Sequence, residues 1–347
     1  MALLKGVGDF FGLEIGTTAV RVVQLVPTSQ GRWTLRHYGH APIDIKTALA
    51  DSAESRQKLG EVIMTVVGQS GIKTKNVAIN MPSSKSFITV VDVPGSSEAE
   101  LKSTIKYQLD QFIPMAADEA KVDWASLGQS LHDPSQQEVL IASTSNNYAE
   151  ERLELIEGLG FEVVAAEPDA LSMIRSVRTP GVKDAQVIVD IGEQSINVAI
   201  TYGDMPRLVR TIPNGLGTLV HAAVQNLNIQ EDQARQFILK FGLAPDKLEG
   251  QVVKALDSTL DGFSSELAKS IKFFQTRYPS LKVGSVLLVG YAASIPQLNQ
   301  YFANKLGVQA MVANPWQSVA APNDPQLTAV ASEFAVVVGL AQRGNLR

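Results

Sequence analysis

The fold is decided by a short stretch that occurs twice, as Phe11-Gly-Leu-Glu-Ile-Gly16 and as Val187-Ile-Val-Asp-Ile-Gly192. Each copy reads as a buried strand that ends in a carboxylate two residues before a glycine, and two further strands follow it. A glycine between two strands lets backbone N–H groups approach phosphate oxygens without a Cβ in the way. One such hairpin is weak evidence, because strand–glycine–strand turns are common. Two copies at equivalent places predict a duplicated α/β fold that binds a phosphate-containing ligand.

The polar groups of both turns are the candidates for this binding. Hydroxyl groups and a forked guanidinium are suitable donors to phosphate oxygens. The carboxylates of Glu14 and Asp190 are suited to hold Mg²⁺, mainly through water, since this ion is usually bound by one or two carboxylates together with phosphates. The residues predicted to bind phosphate are Gly16, Thr17, Thr18, Arg21, Gly192, Glu193, Gln194 and Ser195.

A third segment, Val286–Pro296, reads as a buried strand that runs into small residues and then into a helix. Small side chains at the end of a strand leave room for a flat base and its ribose, although an ordinary strand–turn–helix connection has the same pattern. The residues of this segment predicted to bind adenosine are Gly290, Tyr291, Ala292 and Ala293. The sequence contains neither a P-loop signature nor a G-x-G-x-x-G after a strand, so the two commonest phosphate-binding folds are not supported.

Composition excludes several other classes of protein. The chain has 347 residues, a formal net charge of −5 and no cysteine. Disulfides and thiolate metal sites are therefore excluded, and the lack of a lysine and arginine block argues against a nucleic-acid partner. Charged residues interrupt the apolar opening Met1–Phe11 and the stretch after it, so we expect no signal peptide and no direct insertion into a membrane.

The middle of the first half predicts a small α+β domain. Ser97 and Glu100 have the spacing of a capping box, apolar residues follow at helical intervals, and Pro114 ends the helix. Two strands, a second helix and a further strand come next along the chain. A strand–helix–strand–strand–helix–strand unit of this size can pack as a domain of its own.

Three segments together resemble a known superfamily. Gly12–Gln24 is similar to the first phosphate motif of the actin, heat-shock chaperone and sugar kinase superfamily, Val187–Ile200 to its second phosphate motif, and Leu288–Leu298 to its adenosine motif. Val93–Pro114 and Glu138–Ala170 further resemble the PilM family of type IV pilus assembly proteins, which is related to FtsA. The likeness continues through Asn304–Trp316 and spans nearly the whole chain.

The resemblance implies an actin-like (ribonuclease H-like, duplicated) two-lobed α/β fold with a small inserted α+β domain and with ATP in the cleft. It also implies that Gly215 and Arg235 belong to the adenosine-binding residues. It also implies a cytoplasmic scaffold that binds the N-terminal cytoplasmic tail of an inner-membrane PilN-like protein as an extended peptide, and that is recruited to the membrane through this partner. Self-association is a further expectation. The predicted subdomains are 1–83 with 164–183 (1A), 84–163 (the inserted 1C), 184–216 with 280–347 (2A) and the helix-rich 217–279 (2B).

Four residues depart from the pattern of the superfamily: Glu14 stands in place of aspartate, Glu193 adds a carboxylate, Tyr291 replaces a glycine, and Arg235 lies near the place of a glutamate. These changes favour ATP binding with weak or no ATPase activity. Two other functions stay open. An FtsA-like polymerising, membrane-associated protein would need an amphipathic anchor, for which Gln342–Arg347 is too short and polar. A small-molecule kinase would need a general base, for which Asp92 and Asp169 are the candidates.

Overall fold

The computed structural model describes residues 8–28, 32–50, 52–95 and 97–343, which form two compact units. The first unit comprises the chain up to Ser176, Pro315–Ala329 and the residues from Phe334 onward, and the second comprises Val177–Asn314 and Val330–Glu333. The predictions for Met1–Phe11 and Gln342–Arg347 lie largely outside the described residues.

The strands and helices follow in chain order. The strands are β1 (Phe11–Ile15), β2 (Ala19–Pro27), β3 (Trp33–Pro42), β4 (Asn76–Met81), β5 (Ser86–Val93), β6 (Ala120–Gln129), β7 (Gln137–Ser145), β8 (Glu162–Pro168), β9 (Ala185–Ile191), β10 (Ile196–Tyr202), β11 (Met205–Ile212), β12 (Val283–Gly290), β13 (Gln309–Val312) and β14 (Val319–Ala320). The α-helices are α1 (Ile45–Leu49), α2 (Ala53–Gln69), α3 (Glu98–Phe112), α4 (Asn146–Gly158), α5 (Asp169–Val177), α6 (Leu216–Leu227), α7 (Glu231–Phe241), α8 (Gln251–Arg277), α9 (Tyr291–Ser294), α10 (Leu298–Leu306), α11 (Pro325–Val330) and α12 (Ala335–Ala341).

The main sheets of the two units have equivalent strand orders. The order is β14-β3-β2-β1-β4-β8 in the first unit and β11-β10-β9-β12-β13 in the second. In each sheet the first strand of the repeated stretch, β1 or β9, lies antiparallel to the next strand along the chain and parallel to a later one, β4 or β12. The predicted duplicated α/β fold is therefore confirmed.

Both faces of β1 are covered, which explains why all five of its residues are buried. Leu13 packs in a core that includes Ile63 of α2. Gly12 is on the alternate face, where a Cβ would lie only 2.7 Å from the Val337 carbonyl oxygen of α12. Glycine at position 12 therefore permits the close approach of α12, all of whose residues are buried. This packing places Gly16 at the end of a rigid strand.

The inserted segment forms a three-stranded sheet of its own, in the order β5-β7-β6, and α3 packs on it. The predicted capping box is present: the Glu100 amide donates to Ser97 Oγ at 3.3 Å, and the Ser97 amide donates to Glu100 Oε2 at 3.2 Å. Helix α3 ends at Phe112, two residues before Pro114. Leu101 and Ile105 bury its apolar face, as the helical spacing predicted.

The structure corrects the last part of the prediction that placed residues 280–347 in the second actin-like subdomain. Pro315–Ala329 and the residues from Phe334 onward belong to the first unit. The physical reasons are that β14 pairs with β3 and that α12 packs on β1, β2 and β4. Within this segment a 3₁₀ turn at Ala331–Phe334 separates α11 from α12. The other predicted subdomain boundaries stay predictions.

The segment Pro315–Ala329, which returns to the first unit, is also joined to β3 by a hydrogen bond. This bond makes the stability of the fold depend on pH. The Tyr38 hydroxyl donates to Asp324 Oδ2, and this bond raises the pKa of Tyr38 to about 12. A raised pKa stabilises the fold below the ordinary tyrosine value of about 10, and this stabilisation is lost as the pH rises through the folded-state pKa. We expect the wild type to lose more unfolding free energy than Tyr38→Phe over this alkaline range, as measured by urea unfolding. Tyr107→Phe is the matched control, because Tyr107 is 84% exposed; parallel curves for the wild type and Tyr38→Phe would contradict the prediction.

Candidate functional site

The first turn joins β1 to β2 through Gly16, Thr17 and Thr18, all partly exposed. The Gly16 amide donates to the Ala19 carbonyl oxygen at 3.0 Å, which closes the turn. A Cβ at position 16 would lie 3.0 Å from the same oxygen, so a larger residue would strain the turn. The two threonines are thus presented next to a turn of fixed shape, and their predicted binding of phosphate stays a prediction.

Glu14 and Arg21 face each other across the β1–β2 pair. Arg21 Nη1 donates to Glu14 Oε1 at 3.1 Å, and the two residues are 8% and 9% exposed. The sequence predicted separate roles for them, on Mg²⁺ and on phosphate. The structure brings them together as a buried ion pair beneath the first turn, and their roles toward a ligand stay predictions.

Asn80 is a site residue that sequence analysis missed. Its Oδ1 accepts from the Ile15 amide at 2.8 Å, and its Nδ2 donates to Asp169 Oδ1 at 2.9 Å. Asp169 Oδ2 also accepts from the Ser83 amide at 3.1 Å. A polar residue at the end of the buried strand β4 was the available signal, since parallel neighbours end at the same edge of a sheet. These contacts engage Asp169 in positioning the end of β1, which favours a structural role over that of a general base.

The second turn is built in the same way as the first. The Gly192 amide donates to the Ser195 carbonyl oxygen at 2.9 Å, so both turns are closed by a bond from the glycine to the third residue after it. The start of α6 then holds the second turn, because the Leu216 amide donates to Gly192 O at 2.9 Å and the Gly217 amide donates to Glu193 O at 3.0 Å. Gln194 is exposed and Ser195 is half-buried.

Gly215 and Gly290 fit tightly against this turn and its strand. A Cβ on Gly215 would lie 2.4 Å from the Glu193 carbonyl oxygen. Gly290 has a φ of +60°, and a Cβ there would lie 2.2 Å from Asp190 Oδ1. The structure therefore gives both glycines packing roles next to predicted phosphate and metal residues. Asn197 Nδ2 also donates to Asp190 Oδ2, at 3.4 Å.

The remaining adenosine candidates follow Gly290 directly. The short helix α9 begins with Tyr291, Ala292 and Ala293. Ala292 is buried, and its two neighbours are half-buried. Arg235 lies on α7, and its fork binds the Glu193 carboxylate, with Nη1 to Oε2 at 2.8 Å and Nη2 to Oε1 at 2.6 Å. These hydrogen bonds raise the pKa of the Arg235 guanidinium above its usual value. The structure thus places Arg235, which was predicted to bind adenosine, in contact with Glu193, which was predicted to bind phosphate.

Carboxylates are suitable Mg²⁺ ligands, and Glu14 and Asp190 provide one at each strand end. Over the described ranges 8–28, 32–50, 52–95 and 97–343, no group of three or more histidine and acidic side chains is arranged to hold a metal ion. Each of the two carboxylates suits Mg²⁺ bound mainly through water, and this role stays a prediction. Within the same ranges, no helix has both the length and the apolar character needed to cross a membrane.

Solved structures with the same fold include three informative relatives. A PilM-PilN type IV pilus biogenesis complex matches with a TM-score of 0.83 and 21% identity over 98% of this chain and 99% of that chain. The ethanolamine utilization protein EutJ from Carboxydothermus hydrogenoformans has a TM-score of 0.56 and 14% identity over 97% and 90% of the two chains. MreB 5 of Spiroplasma citri bound to AMPPNP has a TM-score of 0.52 and 11% identity over 95% and 94%. The expected actin-like fold is confirmed.

The sequence itself identifies the branch. The family model described as type IV pilus assembly protein PilM matches residues 12–345, which is nearly all of the chain. The match includes both turns, the inserted α+β segment and the segment that returns to the first unit. The chain therefore belongs to the PilM family of type IV pilus assembly proteins.

Proposed function

We propose that this PilM family member is a cytoplasmic, ATP-binding scaffold of type IV pilus assembly that binds the N-terminal cytoplasmic tail of an inner-membrane PilN-like protein. The observation that carries the proposal is the match to a PilM-PilN complex, which covers 98% of this chain. The partner anchors the scaffold at the inner face of the cytoplasmic membrane. Its tail binds as an extended peptide, because a short segment of this kind can add a strand or fill a groove without a fold of its own.

Nucleotide binding rests on the paired turns. Both are closed by an equivalent hydrogen bond, and both follow a strand with a carboxylate at its end. A solved actin-like structure that matches 95% of this chain is bound to AMPPNP. We assign ATP to these turns and Mg²⁺ to water-mediated contacts with Glu14 and Asp190. We expect the bound ATP to be hydrolysed weakly or not at all.

The proposal is tested by calorimetric titration of the full chain with ATP and Mg²⁺, and then with a synthetic peptide of the N-terminal tail of the PilN-like protein. We expect saturable binding of both, with little phosphate released over the course of the titration. Absence of nucleotide binding would overturn the ATP assignment, and absence of peptide binding would overturn the partner assignment. The two parts of the proposal can therefore fail separately.

Gly192→Val is expected to abolish ATP binding and to leave peptide binding intact. Gly192 has no positive φ, and the nearest atom to an added Cβ is Ser195 O at 3.3 Å, so the turn can accept a side chain with a small adjustment. Valine would then occupy the space in which phosphate oxygens approach the backbone. The same calorimetric titration measures both ligands, and peptide affinity is the control for folding. Unchanged ATP affinity in this variant would remove the second turn from the site.

A further inference from the structure

Glu193 places a negative charge next to the second turn. The residue is only 5% exposed, and its carbonyl oxygen is fixed by the Gly217 amide at 3.0 Å. A carboxylate in this position repels a ligand that carries several phosphate charges, and burial strengthens the repulsion because water screens it less. The second turn therefore needs a positive charge close to Glu193 if it is to accept phosphate.

Arg235 provides this charge from a different part of the second unit. Both terminal nitrogens of its guanidinium donate to Glu193, one to each carboxylate oxygen, at 2.8 and 2.6 Å. Glu231 Oε1 lies 3.8 Å from Arg235 Nη2, at the exposed side of the pair. A two-point contact between guanidinium and carboxylate fixes direction as well as distance, so the fork of Arg235 is aimed at the turn.

The observed contacts of Arg235 and Glu193 differ from the roles that the sequence predicted for them. Both terminal nitrogens of Arg235 bind Glu193, so the fork is engaged with the turn, where the sequence predicted an adenosine contact. Both carboxylate oxygens of Glu193 accept from Arg235, so the carboxylate is neutralised. The pair acts as one unit of zero net charge that connects α7 to the segment after Gly192.

We propose that Arg235 is a positioning residue for nucleotide phosphate: it neutralises Glu193 and holds the second turn in the form that accepts phosphate. The inference rests on the proposed ATP binding and adds a specific electrostatic requirement to it. Charge neutralisation makes a prediction that packing alone does not. Loss of Arg235 leaves a bare carboxylate beside the phosphates, whereas loss of the Glu193 charge leaves a free guanidinium beside them.

The test compares ATP affinity in Arg235→Gln, Glu193→Gln and the double variant by calorimetry at low and high salt. We expect Arg235→Gln to weaken ATP binding about tenfold at low salt, the order of magnitude of one like-charge interaction near a surface. Glu193→Gln should bind ATP more tightly than the wild type, and the double variant should return close to the wild-type affinity. The effect of Arg235→Gln should shrink at high salt. Lys240→Gln is the matched control, because it removes the same charge from an exposed position on the same helix.

The outcomes separate this inference from the proposed function. No ATP binding by the wild type would overturn the proposed ATP binding and the inference together. Wild-type binding with an unchanged affinity in Arg235→Gln would overturn the inference alone. Equal losses of affinity in both single variants and the double variant, together with lower melting temperatures, would mean that the pair only holds the fold, and would also overturn it. An equal loss of ATP affinity in Lys240→Gln and in Arg235→Gln would show that the effect depends only on the net charge of the protein. It would also overturn the inference.

Discussion

Replacement of Gly339 by alanine is expected to destabilise the first unit by roughly 3 kcal/mol, because the added methyl group has no space. A Cβ at position 339 would lie 1.8 Å from the Ser172 carbonyl oxygen and 2.4 Å from the Ser172 carbonyl carbon. Both atoms belong to the backbone of α5, so the clash cannot be relieved by rotation of a side chain. Helix α12 would have to move away from α5 and from the sheet that it covers.

Urea unfolding followed by tryptophan fluorescence measures this effect selectively. The chain has three tryptophans, Trp33, Trp124 and Trp316, and all of them lie in the first unit. Gly68→Ala is the matched control, since Gly68 is also helical and an added Cβ there meets nothing within 4 Å. The control should be stabilised by roughly 0.5 kcal/mol, because alanine loses less backbone entropy in a helix than glycine does. Similar unfolding free energies for the two variants would contradict the close approach of α12 and α5.

Arg175→Met is expected to cost roughly 3 kcal/mol of unfolding free energy, because it leaves a buried carboxylate without its main partner. Arg175 Nη1 donates to Glu167 Oε2 at 2.9 Å and to the Gly339 carbonyl oxygen at 2.7 Å, and Glu167 is only 2% exposed. Arg343 Nη1 lies 3.6 Å from Glu167 Oε2 and still faces the carboxylate in this variant. We therefore expect the loss of unfolding free energy to fall at the lower end of the range for a broken buried ion pair.

The same fluorescence-monitored unfolding measures this variant, with Arg36→Met as the control. Arg36 pairs with Asp9 at 2.8 Å, but its side chain is 51% exposed, so the same substitution should cost less than about 1 kcal/mol. Adding Glu167→Gln to Arg175→Met should recover part of the loss, since it removes the uncompensated charge. The interpretation fails if Arg175→Met is no more costly than Arg36→Met.

The features that could be predicted from the sequence are those that depend on residues close together along the chain. The repeated strand–glycine–strand pattern predicted two related sheets, and both are present with equivalent strand orders. The Ser97 capping box predicted the start of α3, because the cap and its partner are three residues apart. Hydrogen bonds of this kind depend on neighbouring residues and hardly at all on the rest of the chain.

The features that could not be predicted depend on residues far apart in sequence. Glu193 and Arg235 are 42 positions apart, and each was assigned to a different part of the nucleotide. Asn80 contacts the end of β1 across 65 positions, and its local signal, a polar residue at the end of β4, does not identify this partner. The pairing of β14 with β3 is also non-local and only two residues long, so periodicity carries no signal for it.

The path of the chain through the first unit has a consequence for protein synthesis. Helix α12 covers β1, β2 and β4, yet it is translated after the whole of the second unit, Val177–Asn314 and Val330–Glu333. Domains generally fold in the order in which they leave the ribosome, but here the unit that is begun first is completed last. Until Ala335–Ala341 has been made, the face of β1 that carries Gly12 lacks its cover. The order of synthesis therefore predicts that the packing between α12 and the N-terminal sheet forms only after the second unit has been translated.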